Sequence, residues 1–279
     1  MSRSASLRVG SVPYLVARPI DGGLGDEPEI ELSHALPARL VEQLRAGEVD
    51  VALVSSIELF RREGYGYLSG SAIMGQGFVA SVQVFLRRPV EELRTVALDP
   101  ASRTAQALTR VTLIERARRE GRSEPRFIEV ELDVDPQEVE ADAWLRIGDP
   151  ALRAYLAKDC PPLFNPSEAW CEPRRLPFVF AAWIVRPGIE LTDEQRAAFA
   201  RARERGQRNL DQLSREASRS WDLPLGPCRR YLGAECRYAP GQELSAALLA
   251  FRDAAGALGL CRADLTPRSI PIPSAPCPS

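Results

Sequence analysis

The chain has 279 residues, 45% of them apolar and 27% charged, with a formal net charge of −2. That is enough apolar surface to build one large domain or two of ordinary size. The near-neutral, scattered charge excludes an electrostatic case for nucleic acid or an anionic membrane as partner. No stretch approaches the roughly 20 apolar residues of a membrane span.

In chain order, residues 7–10 read as a short strand, SVPYLVARPI as a proline-marked turn, and residues 30–32 as a second strand. Pro37 opens a helix that Gly47 closes, with Leu40, Val41 and Leu44 on one face,. Residues 49–54 form a continuous apolar run, the pattern of a parallel strand covered on both faces. Residues 81–86 alternate as a strand, and residues 95–98 form another that runs through DPASRT into a helix over 105–119. Residues 127–131 and 143–147 are strands; the second ends in Gly148-Asp149 and a helix. Residues 178–185 are a long apolar strand. Thr192 caps a helix that runs through LSREAS, with Asp193 and Glu194 in its first turn. A last amphipathic helix covers 242–258 before Gly259. This strand–helix alternation predicts an α/β layered architecture. The GGLG at 22–25 lies in a turn and predicts a loop rather than a phosphate cradle.

Two chain crossings, near 86–90 and 178–186, divide the pattern. Residues 1–87 and 179–265 are expected to form a discontinuous outer α/β domain, and residues 88–178 a central one. The Pro/Ser-rich 266–279 predicts a disordered tail. A ligand cleft belongs between two such domains, where strand ends meet helix starts.

Three segments share one design of buried strand, small polar residues, then helix: VALV-SSIE, VAL-DPASRT-AQAL and WLRI-GDPALR. Free N–H groups and the partial positive charge of a helix start, with serine and threonine hydroxyls, suit a small carboxylate. Ser55, Ser102 and Asp149 are also what ordinary N-caps look like. Arg103, between Ser102 and Thr104, has the chemistry of a bidentate carboxylate clamp, and Glu58 is placed to complete a capping box with Ser55. Serine-hydrolase, Walker and dinucleotide signatures are missing. The single histidine, His34, excludes chemistry that needs two. The six cysteines, Cys160, Cys171, Cys228, Cys236, Cys261 and Cys277, form no CxxC and read as unpaired thiols,. The N-terminus shows no signal-peptide pattern, so a cytoplasmic protein is expected.

Over residues 7–262 the chain resembles the chorismate dehydratases of the futalosine route to menaquinone. The matching stretches are RVGSVPYL, LPARLVEQLRAGEVDVALVSSIE, GFVASVQVF, the SRT of DPASRT, ADAWLRIGD and LPFVFAAW. The resemblance implies a two-domain type II periplasmic-binding-protein-like fold. It implies removal of water from chorismate to give 3-[(1-carboxyvinyl)oxy]benzoate, without metal or organic cofactor. It implies a cleft lined by Tyr14, Ser55, Ser56, Ser81, Ser102, Arg103, Thr104 and Asp149, with Ser81 at the chemistry and Phe178 and Phe180 as apolar walls. Two positions depart from the family pattern. Val16 stands where the family has a catalytic-site asparagine, which leaves a divergent binder of a small aromatic carboxylate as the alternative. Arg175 stands where it has glycine. An extracytoplasmic receptor shares the implied fold but is not expected without a signal peptide.

Overall fold

A computed structural model describes residues 6–273 of the chain. β1 (Leu7–Ser11) leads through a 3-10 turn (Leu15–Ala17) and the short helix α1 (Arg18–Asp21) to β2 (Ile30–His34). Helix α2 (Pro37–Ala46) then crosses to β3 (Val51–Ser55); β2 and β3 both run parallel to β1. As the sequence predicts, α2 starts on Pro37 and stops on Gly47, whose left-handed φ of 75° favours glycine,. Beyond β3 the expected helix is a five-residue 3-10 turn, Ser56–Phe60.

The ten-residue β4 (Gly66–Gly75) has no counterpart among the expected strands. Its glycines lower its β propensity, and two of them have a tertiary reason. A Cβ on Gly66 or Gly70 would collide with the side chains of Ile270 and Ile272. The chain then continues through β5 (Val82–Leu86), β6 (Thr95–Leu98), α3 (Arg103–Arg119), β7 (Arg126–Glu129), β8 (Ala143–Ile147), α4 (Gly148–Leu156), β9 (Leu163–Phe164) and α5 (Pro166–Arg174). It returns through β10 (Phe178–Val185), α6 (Asp193–Arg208), α7 (Leu210–Trp221), α8 (Leu225–Arg230), β11 (Cys236–Arg237), α9 (Glu243–Gly256) and β12 (Arg268–Ile270). Thr192 caps α6 in a full capping box with Gln195,. The long helix expected after it breaks at Asn209 into α6 and α7.

Two sheets result. One has the order β11-β4-β10-β3-β1-β2, with β12 also on β4; the other runs β7-β6-β8-β5-β9. Two expectations are corrected here. β5, placed with the outer domain, pairs with β8 and β9 in the second sheet. Its alternation shows which faces are buried, not which sheet it joins. The tail expected from 266 onward is ordered at its start: β12 pairs with β4 and buries Ile270. The apolar spaces left by Gly66 and Gly70 hold it there. The rest of that expected tail, residues 274–279, lies outside the described residues.

Each sheet has its own apolar core, and a third cluster joins the lobes. It contains Ile57, Leu108, Val111, Trp170, Phe178 and Phe251, contributed by both lobes and by α5 and α9. In the first lobe, buried Asp50 ties β1 to β10. It accepts from Arg8 Nε and Nη2 at 3.0 and 2.7 Å and from Arg186 Nη2 at 2.9 Å. Burial alone would raise the Asp50 pKa, but the bonds from the two guanidinium groups outweigh it and hold the carboxyl below its ordinary range,.

Arg175 ends α5 in the left-handed region, φ 51°, with its N–H bonded to the Cys171 carbonyl at 2.8 Å. That geometry accounts for the glycine expected there and makes arginine a strained occupant. Arg175→Gly is expected to stabilise the protein by about 1 kcal/mol, read as a higher urea midpoint with an unchanged slope.

Candidate functional site

The C-terminal end of β3 meets the N-terminus of α3 across the two lobes. Thr104 Oγ1 accepts the Ile57 N–H at 3.0 Å and lies 3.4 Å from Ser56 Oγ. Ser56 Oγ donates to the Val179 carbonyl at 2.6 Å. Ser55 Oγ lies 3.4 Å from Ser102 Oγ, and the Thr104 N–H points at Ser55 Oγ from 3.5 Å. Ser102 is the true N-cap of α3, accepting from the Ala105 N–H at 3.2 Å.

Beside this joint lies a cavity open to solvent on one side. Its polar side chains are Tyr14, Ser55, Ser81, Ser102 and Cys236; Val16, Ile73, Val82, Ile147 and Phe180 supply apolar walls. The chemistry of this lining suits a small, largely apolar ring with a few oxygen substituents,. The serines carry the polar contacts. Ser102 Oγ accepts a helix N–H, so its O–H can donate, to Ser55 Oγ or to an anion, and the helix terminus favours an anion's charge,. Burial, with Asp99 and Asp149 nearby, pushes the Tyr14 phenol up to about 12, so it remains a donor,. Gly148, in the left-handed region at φ 68°, donates to the Ser81 carbonyl at 2.8 Å and brings Tyr14 against the start of α4.

The remaining expected residues sit elsewhere. Ser56 and Thr104 are buried in the joint, bonded to each other's surroundings rather than to the cavity. Arg103 is exposed and pairs with Glu129 at 3.4 Å; the first turn of α3 turns it away from the cavity. Glu58 does not cap Ser55. It holds Arg45 in a two-pronged ion pair, 2.7 Å on each arm, and the 3-10 turn leaves Ser55 without a capping bond. Phe178 belongs to the aromatic cluster with Trp170 and Phe251, and Phe180 alone reaches the cavity. Asp149 is not an N-cap; it lies behind the Tyr14–Val16 segment and accepts the Leu15 N–H at 3.4 Å. It lines a separate hollow with Arg18 and Trp221.

Sequence inspection missed Cys236 and Asp99. Asp99 is buried and accepts from Ala101 and Ile147 N–H groups at 2.9 and 3.0 Å, fixing the DPASRT loop to the end of β8. Its position between a strand and a proline was the available signal. An outer chamber continues the cleft past Tyr14, flanked by Leu36 from one lobe and Leu132 and Val134 from the other. Arg146 lines this chamber, ion-paired to Asp135. Among the described residues no cluster of three or more metal-ligating side chains occurs, and no helix is long and apolar enough to cross a membrane.

Two α/β lobes, linked by two crossovers and enclosing a cavity at their joint, define a periplasmic-binding-protein-like fold. Solved structures bear this out. Protein AF1704 from Archaeoglobus fulgidus superposes with a TM-score of 0.74 at 19% identity, covering 93% of this chain and 100% of that one. The alkanesulfonate-binding protein SsuA from Xanthomonas axonopodis pv. citri, bound to MOPS, gives 0.66 at 16% identity, covering 94% and 96%. The family model described as menaquinone biosynthesis matches residues 7–257, and the chain belongs to that family. A chorismate dehydratase from Thermus thermophilus is 32% identical over 169 residues, a stretch spanning 55% of this chain and 60% of that relative's length.

Two outcomes follow from the geometry. Thr104→Val keeps the shape but leaves the buried Ile57 N–H unpaired, so it is expected to destabilise the fold by about 1–3 kcal/mol, measured by urea unfolding. Burial, opposed by the Leu15 N–H and by Arg153 and Arg18, raises Asp149 to about 6. A carboxyl held above its unfolded value of about 3.9 penalises the charged native state. The penalty is absent below about pH 4 and grows as pH rises through about 6. Asp149→Asn is therefore expected to raise the urea midpoint at pH 8, with the gain vanishing by pH 4; a gain equal at both pH values would refute this origin.

Proposed function

We propose that the protein is a cytoplasmic chorismate dehydratase, a carbon–oxygen lyase. It would eliminate water from chorismate to give 3-[(1-carboxyvinyl)oxy]benzoate, a step of the futalosine route to menaquinone. The observation that carries this is the hydroxyl-lined apolar cavity at the lobe joint, walled by the segments VPYL, VSS, ASR and IGD. The family and the dehydratase relative support the same reaction, and the free thiols among the described cysteines suit a reducing compartment,.

Chorismate is a diene ring bearing two carboxylates, a hydroxyl and an enol ether. Loss of the ring proton and the neighbouring hydroxyl aromatises the ring, which supplies the driving force. The side chains around the inner cavity include no carboxylate, imidazole or amine. The base is therefore assigned to a substrate carboxylate, held against the ring proton by the bound conformation. The protein positions the ring between Phe180, Val82 and Ile147. Ser55 and Ser102 with the α3 terminus hold a carboxylate, and Ser81 and Tyr14 donate to the oxygen that gains charge as the carbon–oxygen bond breaks.

Val16 lines this cavity at the position of the family asparagine. Valine offers no hydrogen bond there, which favours a second possibility, a protein that binds a small aromatic carboxylate with weakened or altered chemistry. Removing one such donor typically costs about 2.7–4 kcal/mol of transition-state stabilisation. Purified protein incubated with chorismate is expected to form the aromatic product, detected by chromatography. Val16→Asn is expected to raise kcat by about a hundredfold. Chorismate binding without product would establish the second possibility instead, and an unchanged rate in Val16→Asn would remove Val16 from the chemistry.

A further inference from the structure

In the first lobe the end of α2, the chain between Phe60 and β4, and the end of β10 enclose an open hollow rich in arginine. Arg45, Arg62, Arg186 and Arg262 line it, and Glu63 is the carboxylate among its lining residues. This hollow lies at the opposite end of the sheet from the cavity. Ser55, the last residue of β3, lines the cavity, whereas Asp50, just before β3, bonds Arg186. The intervening strand, at about 3.3 Å per residue, sets the two places roughly 16 Å apart.

Two of the guanidinium groups are fixed in advance. Arg45 uses Nε and Nη2 on Glu58, and Arg186 uses the same pair on Asp50, so Nη1 of each has no partner among the described residues. Both carboxylates are buried, which holds these cations in place before any ligand arrives,. The charges around the hollow do not cancel. Arg8 and Arg186 share Asp50, while Glu63 and Asp264 share Arg262, so the excess cation of one group offsets the excess carboxylate of the other. Arg62 remains, exposed and without an ion pair among the described residues; its bond is to the Arg45 carbonyl at 3.5 Å. A second observation is independent of charge. Tyr65 lines the same hollow, is 3% exposed, and its hydroxyl has no hydrogen-bond partner. An unpaired buried hydroxyl costs free energy that phenylalanine would avoid.

We propose that this hollow is a second ligand site, remote from the cleft, that binds a small oxyanion of the phosphate class between Arg45, Arg62 and Arg186, with the Tyr65 O–H as a fourth donor. A tetrahedral oxyanion accepts from several directions at once, which matches guanidinium groups converging from α2, the Arg62 turn and β10; a planar carboxylate is served by a single fork. Arg62, held only by its long bond to the Arg45 carbonyl, moves aside to admit the ion to Tyr65 and then closes on it. Burial raises the Tyr65 phenol above its ordinary range, so it stays a donor near neutral pH,. Neither the site nor its test depends on the function proposed above.

The test titrates inorganic phosphate into the full chain by calorimetry at fixed ionic strength, with methyl phosphate in parallel. Saturable binding of a single phosphate is expected. Arg62→Ala, an exposed change, is expected to weaken it about tenfold or more, and Tyr65→Phe about fivefold. Without phosphate, Tyr65→Phe is expected to keep or raise the urea midpoint, which separates a lost ligand bond from a damaged fold. Arg208→Ala, at the exposed end of α6, and Ser102→Ala, in the cavity, are the controls and are expected to leave phosphate affinity within about twofold,. Tighter binding of methyl phosphate assigns the site to a phosphate ester, and equal or weaker binding to the free ion. No saturable binding, an unchanged affinity in Arg62→Ala or Tyr65→Phe, or an equal loss in Arg208→Ala overturns the proposal. A loss in Ser102→Ala places the ion in the cavity and overturns it as well.

Discussion

The structure depends on a hydrogen-bonded joint a few residues long. Where β3 ends, Ser55 and Ser56 meet the first turn of α3, and Thr104 reaches back across the lobe boundary to the Ile57 N–H. Strand ends and helix starts both leave backbone groups without regular partners. Placing one against the other lets each satisfy part of the other's deficit inside a buried seam. The apolar cluster around Trp170, Phe178 and Phe251 then packs one side of the seam, and the cavity opens beside it. Geometry at the joint thus sets the cavity's polar wall: Ser55 and Ser102 are at the cavity because Ser56 and Thr104 are used up in holding the lobes together.

The cavity's electrostatics follow from that division. Its lining residues include no fixed cation, and an anion there would depend on hydroxyls and one helix terminus,. Arg146 stands in the outer chamber, already paired with Asp135. Hydroxyls and backbone dipoles keep such a site from being dominated by a strong permanent charge, which favours selective stabilisation of charge that develops during a reaction over indiscriminate capture of anions. Titratable groups sit one layer back: Asp99 fixes the DPASRT loop to β8, and Asp149 supports the Tyr14–Val16 segment from behind. Burial raises both carboxyls above the ordinary carboxylate range,.

Several features were legible because their cause is local. The proline that opens α2, the glycine that closes it and the capping box at Thr192 are each set by backbone stereochemistry within a few residues. Gly148 in the IGD motif and the odd arginine at 175 share that logic, since both occupy left-handed backbone. Of the serines lining the cavity, Ser55 and Ser102 were legible from strand-end chemistry, and Ser81 only through the family resemblance. Their neighbours were misplaced because adjacent residues in a helix's first turn point in different directions. Ser102 faces the cavity, Arg103 faces solvent and Thr104 faces the other lobe.

What the sequence by itself determined is the α/β alternation, most element limits, the family's motifs and the kind of chemistry the site can offer. These depend on periodicity, capping and side-chain type, which act over a few residues. The tertiary structure alone decided that β5 joins the second sheet, that glycine-rich β4 is a long strand completed by β12, and that Cys236 and Ser81 line one cavity. Those outcomes come from contacts between residues far apart in the chain: Ile270 and Ile272 filling the space above Gly66 and Gly70, Glu235 catching the Ala80 N–H. Shape complementarity of that kind leaves no periodic trace in the sequence, because either partner alone looks ordinary until the fold brings the two together.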